Sequence, residues 1–280
     1  MGEAFYLPAG DSFVSTDLTR GPWDPQAQHG GPPAALLATE MDRRHPRADV
    51  IVARVTFEIL GSVPLQPLSI SSVVRRPGRS VELLEGVLSA GERDVLRASM
   101  WRIRTRDTSA VAVLAEPDND VPGPAVGRPL DFFPTGHEIG YHTGMDARFV
   151  RGAFLQPGPA LTWMRMQAPL VAEMDTPPLA RVLIAADSGN GVSGELDYRH
   201  WLFVNPELTV HLFRLPVGEW VCLDARTTVG DHGVGLADTL LRDAHGPIGR
   251  GLQSLYVTPR PSPHVGDPGS ERRSADSPIR

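Results

Sequence analysis

Apolar side chains alternate with polar ones through four consecutive runs of the first half, 52–60 (VARVTFEIL), 68–75 (LSISSVVR), 81–89 (VELLEGVLS) and 95–103 (VLRASMWRI). A period of two is what a strand with one buried face requires, and the stretches VPLQP, RPGR and AGER between the runs carry turn chemistry. Ahead of them HGGPPAALLATEMDRR predicts a helix. Pro32 and Pro33 suit its first turn, and Ala35, Leu36, Ala38, Thr39 and Met41 form an inward stripe. The second half repeats this order. A helix is expected over 177–187 (PPLARVLIAAD), then strands over 208–215, 221–229, 235–243 and 249–257, joined by PVGEW, GDHG and AHGP.

A helix followed by four strands, twice, is an internal repeat. It echoes in detail: Val63-Pro64-Leu65 falls where Leu215-Pro216-Val217 does, and Arg97-Ala98-Ser99-Met100 where Arg250-Gly251-Leu252-Gln253 does. The pattern predicts an α+β fold in which each antiparallel sheet wraps an apolar helix. The expected units are 1–117 and 132–260, with a linker over 118–131. The tail 261–280 has too few apolar residues to offset its ordering entropy and is expected to be disordered.

Composition narrows the function classes. The 280 residues carry 27 basic and 33 acidic side chains, and every basic one is arginine. A net charge of −6 with no basic stripe argues against nucleic acid as a partner. No apolar run reaches the roughly 18–20 residues needed to span a bilayer, and the N-terminus lacks the pattern of an export signal, so a cytoplasmic location is expected. The single cysteine, Cys222 in WVCLD, reads as a small buried hydrophobe.

Several motifs fail on context. Gly189-Asn190-Gly191-Val192-Ser193-Gly194 matches G-x-G-x-x-G, but a helical segment precedes it and the strand-like ELDYRHWLFV follows, the reverse of a dinucleotide site, so it reads as a loop. No G-x-S-x-G elbow is present, and the histidines lack metal-ligand spacing, so neither metal nor cofactor is expected.

Three segments, GPWDPQAQHGGPPAALLA, LIAADSGNGVSGELDYRHWLFVNPELTVHLFRLPVGEWV and GPIGRGLQSLYV, resemble the double hotdog acyl-CoA thioesterases, the family of the bacterial type II enzyme. The likeness covers nearly all of 20–260. It implies two helix-wrapped sheets joined into one, an acyl-CoA or acyl-carrier-protein thioester as substrate, and hydrolysis to a free acid. In that family a helix carboxylate, a strand hydroxyl and a last-strand glutamine hold the water. The resemblance carries these roles to Asp187 and Gln253. The hydroxyl position falls near Asn205, while the nearest hydroxyl belongs to Thr209.

Such residues suit the reaction, which needs an aimed water, a proton acceptor and donors for the oxyanion. His29, Gly30 and Gly31 are the expected main-chain and substrate contacts and Met100 is expected to line the acyl group, while Trp23 reads as acyl-tunnel lining or as plain core packing. The structural alternatives are plain. Asp187 can be a turn residue, Gln253 can face outward, Asn205 can form an Asx turn before Pro206, and Thr209 can be an ordinary strand residue. His29 reads as a substrate contact or a helix-entry residue rather than the base. A hydratase or dehydratase, and a non-catalytic acyl-CoA-binding protein, are the competing functions. Open strand edges point to a homodimer or higher homo-oligomer.

Overall fold

The computed structural model describes residues 4–113 and 121–261. The tail from 262 onward and residues 118–120 of the expected linker lie outside the described residues. In chain order the first half comprises β1 (Tyr6–Ala9), β2 (Ser12–Ser15), α1 (Gly31–Arg44), β3 (Val50–Ile59), β4 (Pro67–Arg76), β5 (Val81–Ala90) and β6 (Arg93–Arg104). The second comprises α2 (Tyr141–Gly144), β7 (Met145–Ala153), β8 (Gln156–Met166), α3 (Pro178–Ala186), α4 (Gly189–Val192), β9 (Trp201–Val204), β10 (Glu207–Leu212), β11 (Val221–Val229), β12 (Val234–Asp243) and β13 (Gly246–Pro259).

The strands form one 13-stranded sheet in the order β1-β2-β4-β5-β6-β3-β10-β13-β12-β11-β8-β7, with β9 added on β13. Every pairing between named strands is antiparallel. The two halves meet where β3 pairs β10, with Thr56 opposite Thr209. Outward from that seam one half runs β3-β6-β5-β4-β2-β1 and the other β10-β13-β12-β11-β8-β7, the same order twice. Thr56 and Thr209 stand 153 residues apart. That one shift also carries the pair Leu84–Met100 onto Ala237–Gln253, and Ile70–Leu88 onto Leu223–Leu241.

The structure corrects the expected order by adding a hairpin before each helix, β1–β2 and β7–β8. It also winds Gly189–Val192 into a helical turn rather than a loop, and restricts the strand expected across ELDYRHWLFV to Trp201–Val204. Both helices lie against the sheet and against each other. Seven of the nine residues of α3 are buried, which its nearly continuous apolar sequence requires. The segment that follows β8 returns to the start of the chain. Phe5 and Tyr6, at the start of β1, donate main-chain hydrogen bonds to the carbonyls of Pro169 and Leu170, just beyond β8, at 3.1 and 2.9 Å. Among the described residues no helix is long and apolar enough to cross a membrane.

Candidate active site

Asp187 caps the C-terminal end of α3, where the helix dipole disfavours a carboxylate. The N-terminus of α1 supplies the compensation. A Cβ on Gly30, the N-cap of α1, would stand 2.8 Å from Asp187 Oδ2, and one on Gly31 would collide with the carbonyl of Ile184. Two glycines therefore let the positive end of one helix reach the negative end of the other. The carboxylate is 8% exposed.

Its partners are neutral amides and an imidazole. Asn205, between β9 and β10, donates from Nδ2 to Oδ1 at 3.0 Å. Gln253 on β13 donates from Nε2 to Oδ1 at 3.3 Å and to the Asp187 main-chain carbonyl at 3.1 Å, while its Oε1 accepts the Asn190 N–H at 3.0 Å. Gln253 is on the inward face of its strand, 1% exposed. The close pass of α4 over this amide needs a glycine, since a Cβ at Gly189 would meet Thr239 Oγ1 at 2.5 Å and Gln253 Oε1 at 3.1 Å. Oδ1 of Asp187 is thus held by two amide donors, and Oδ2 faces Gly30 and His29.

His29 is presented by a folded loop. Its N–H donates to the Thr19 carbonyl at 2.8 Å. The neighbouring Gln28 is fixed by Tyr6, whose hydroxyl donates to Oε1 at 2.6 Å, and by its own Nε2 donating to the Pro64 carbonyl. The imidazole Nδ1 lies 3.2 Å from Asp187 Oδ2 and 3.1 Å from the Gly31 N–H. Burial lowers the His29 imidazole below its ordinary range, against the opposing pull of the Asp187 carboxylate. The ring stacks on Tyr141, a residue the sequence did not single out.

Asp187, Asn205, Gln253, His29, Gly30 and Gly31 therefore converge. Thr209 does not join them, because its hydroxyl bonds Glu207 and Thr56, each at 3.2 Å. Met100 is fully buried on β6 in the core of the first half. Trp23 is 46% exposed and packs against Phe133 and Phe203, at centroid distances of 5.0 and 5.9 Å. These two phenylalanines, with Phe154, Leu196, Tyr198 and Arg199, wall a cleft of about 400 Å³. A smaller depression, lined by Asn190, Gly194, Leu196, Phe203, Thr227 and Leu255, shares Gly194, Leu196 and Phe203 with that cleft.

No curated protein matches the chain in sequence. Solved structures share its fold. A Thermobifida fusca protein assigned as a thioesterase II aligns with a TM-score of 0.70 and 17% identity over 90% of this chain and 95% of that one. A hot dog fold protein of unknown function from Alicyclobacillus acidocaldarius gives 0.70 and 17% over 92% and 96%. The tesB protein of Mycobacterium avium subspecies paratuberculosis gives 0.66 and 14% over 91% and 96%. The family model of the acyl-CoA thioesterase N-terminal domain matches residues 19–103, and that of the C-terminal domain matches residues 117–257. The chain, a double hotdog, belongs to the acyl-CoA thioesterase family and is a thioester hydrolase.

Proposed function

We propose that the protein hydrolyses an acyl-CoA thioester to a free acid and CoA, with Asp187 as the base that activates water. The observation that carries this reading is a buried carboxylate whose Oδ1 is held by the amides of Asn205 and Gln253 while no guanidinium is among its described partners. Oδ2 is left to accept a proton. As the water oxygen bonds to the thioester carbonyl carbon, Asp187 takes one of its protons and the carbonyl electron pair moves onto oxygen. Collapse of the adduct breaks the carbon–sulfur bond, and the thiolate leaves with that proton as the CoA thiol.

Each neighbour then has a part. Gln253 orients the carboxylate and the turn that carries it, and Asn205, with Nδ2 bound to Asp187, has its side-chain oxygen to offer the water. The Gly31 N–H is directed at His29, so the main-chain donor for the oxyanion is the Gly30 N–H. The aromatic cleft receives the acyl group, with Trp23 packed against two of its wall residues, Phe133 and Phe203. Met100 has no direct part.

Thiol release from acyl-CoA by the purified protein, measured across chain lengths, tests the reading. Asp187→Asn should stay folded and lose on the order of 10²-fold or more of that activity. Binding without release would point to a binding protein, and hydration of an enoyl chromophore to a hydratase. The same reading includes self-association, because among the described residues β9 pairs with β13 alone and an open edge recruits another strand. A monomeric mass by light scattering at micromolar concentration would overturn that part.

A further inference from the structure

Tyr141 opens α2, in the segment that joins the two halves, and is 1% exposed. It touches both sides of the site. Its ring lies flat on His29, with centroids 3.7 Å apart and planes 2° from parallel. Its hydroxyl donates to the Ile184 carbonyl at 2.8 Å and lies 2.8 Å from Ser188 Oγ. A phenol has one proton, so with Ile184 accepting it, Ser188 is the donor in the second bond. Ile184 belongs to the last turn of α3 and Ser188 follows Asp187 directly. Tyr141 is itself anchored through its N–H to the Arg20 carbonyl at 2.9 Å, on the loop that leads to His29.

The imidazole needs such a wall. Nδ1 lies between the Gly31 N–H and Asp187 Oδ2, and one nitrogen cannot donate to the carboxylate and accept from the amide at once. With Nδ1 accepting from Gly31, Asp187 is free as a base. Once Oδ2 has taken the water proton, it can donate that proton to Nδ1 only in place of the Gly31 N–H, because the nitrogen has a single lone pair. Rotation of the ring would set a carbon against Oδ2 and remove the acceptor. Flat stacking on a buried aromatic ring holds the ring plane against tilting, and the Gly31 N–H fixes which edge of the ring faces the carboxylate.

On the hydrolase reading above, we propose that Tyr141 is a positioning residue for the reaction: its ring fixes the plane of His29, and its hydroxyl fixes the turn that carries Asp187. The charged group facing His29 is Asp187, and the other titratable neighbour is Tyr141 itself, whose phenol burial holds well above its ordinary range. His142, next along α2, stacks instead on Phe132 and lies near His137.

Two variants separate ring from hydroxyl. Tyr141→Leu should lower kcat on the order of 10–10²-fold with KM within about threefold, because orientation rather than binding is lost. Its His29 titration midpoint, followed by NMR and assigned against His29→Asn, should rise toward the ordinary imidazole value of about 6.5 as water reaches the ring. Tyr141→Phe keeps the stack, so the midpoint should stay while kcat falls about 3–10-fold. An unmoved midpoint in folded Tyr141→Leu would overturn the proposal, as would wild-type kcat in both variants. If Tyr141→Leu does not fold, Tyr141→Phe decides alone, and unchanged kcat counts against the proposal. A wild-type protein that releases no thiol overturns the hydrolase reading. One that does, with Tyr141 variants indistinguishable from it, overturns only the role of Tyr141.

Discussion

The two halves bury carboxylates to similar depth and surround them differently. In the first, Glu40 has a side chain 1% exposed and accepts from Arg43 at 2.8 and 2.7 Å and from Arg44 at 3.2 Å. Glu82 pairs with Arg102 and Arg47. Burial pushes the Glu40 carboxyl upward, yet the two guanidinium groups outweigh it and hold the group below the usual carboxylate range. In the second half Asp243 is paired in the same way with Arg214, but the described partners of Asp187 are two neutral amides and the His29 imidazole, with no guanidinium among them. A guanidinium keeps a carboxylate ionised and occupies its lone pairs, which suits a structural tie. Neutral amides orient a carboxylate while leaving it able to accept a proton, which suits a base.

Register makes the comparison specific, because the shift that superposes the sheets sets Met100 where Gln253 stands. Methionine offers an apolar, polarisable surface and no donor. Gln253→Met therefore converts the second half into the first at one position, and should cost about 2–4 kcal/mol of transition-state stabilisation, read from kcat/KM for thiol release. Activity within twofold of wild type would show that the amide is not what separates the halves.

A smaller effect decides between two residues that the sequence left unresolved. Asn205→Ala removes a donor to Asp187 Oδ1 and should lower kcat by about tenfold, whereas Thr209→Ala, at the central seam, should leave it within about twofold. The reverse ranking would return the third role to the hydroxyl. Glutamine on the inward face of an apolar strand and aspartate at the end of an apolar helix were legible from periodicity together with the resemblance. The choice between Asn205 and Thr209 was not, since it depends on whether a side chain two or more residues into the strand faces the helix end or the neighbouring strand.

The fold was legible to a similar degree and for similar reasons. The strands β3–β6 and β10–β13 show a two-residue period because they belong to a sheet with one face covered, α1 lying on β4–β6 and α3 or α4 on β11–β13. The hairpin β7–β8 is hidden in the sequence because its residues contradict strand signals. β8 begins QPGP, and its Pro157 and Pro159 lie outside the segment 160–164 that pairs with β11. β7, the outermost strand, carries Asp146, Arg148 and Arg151. Tyr141 left no local trace at all, since its partners are His29, Ile184 and Ser188, brought to it by the tertiary fold.

The smallest effect on activity is expected at Glu40, the buried carboxylate of α1. Both its oxygens already accept from arginine, so Glu40→Gln should leave kcat and KM for thiol release within about twofold while affecting stability. Arg43 is 55% exposed and Arg44 30%, so solvent screens the pairs and the loss should be about 1 kcal/mol or less near neutral pH. Its pH dependence is the sharper signature. Because the folded protein holds Glu40 below its unfolded value, the charged pair stabilises fully above the ordinary carboxylate value of about 4.3, and that contribution is lost as pH falls through the lower folded value. Glutamine does not titrate. Thermal melts of the two proteins should therefore differ most near neutrality and converge on acidification, with hydrolysis unaffected at neutral pH. A folded Glu40→Gln protein that has lost hydrolysis, or active-site titration giving two sites per chain, would mean that the first half takes part in the chemistry and that arginine pairing does not mark the structural carboxylates.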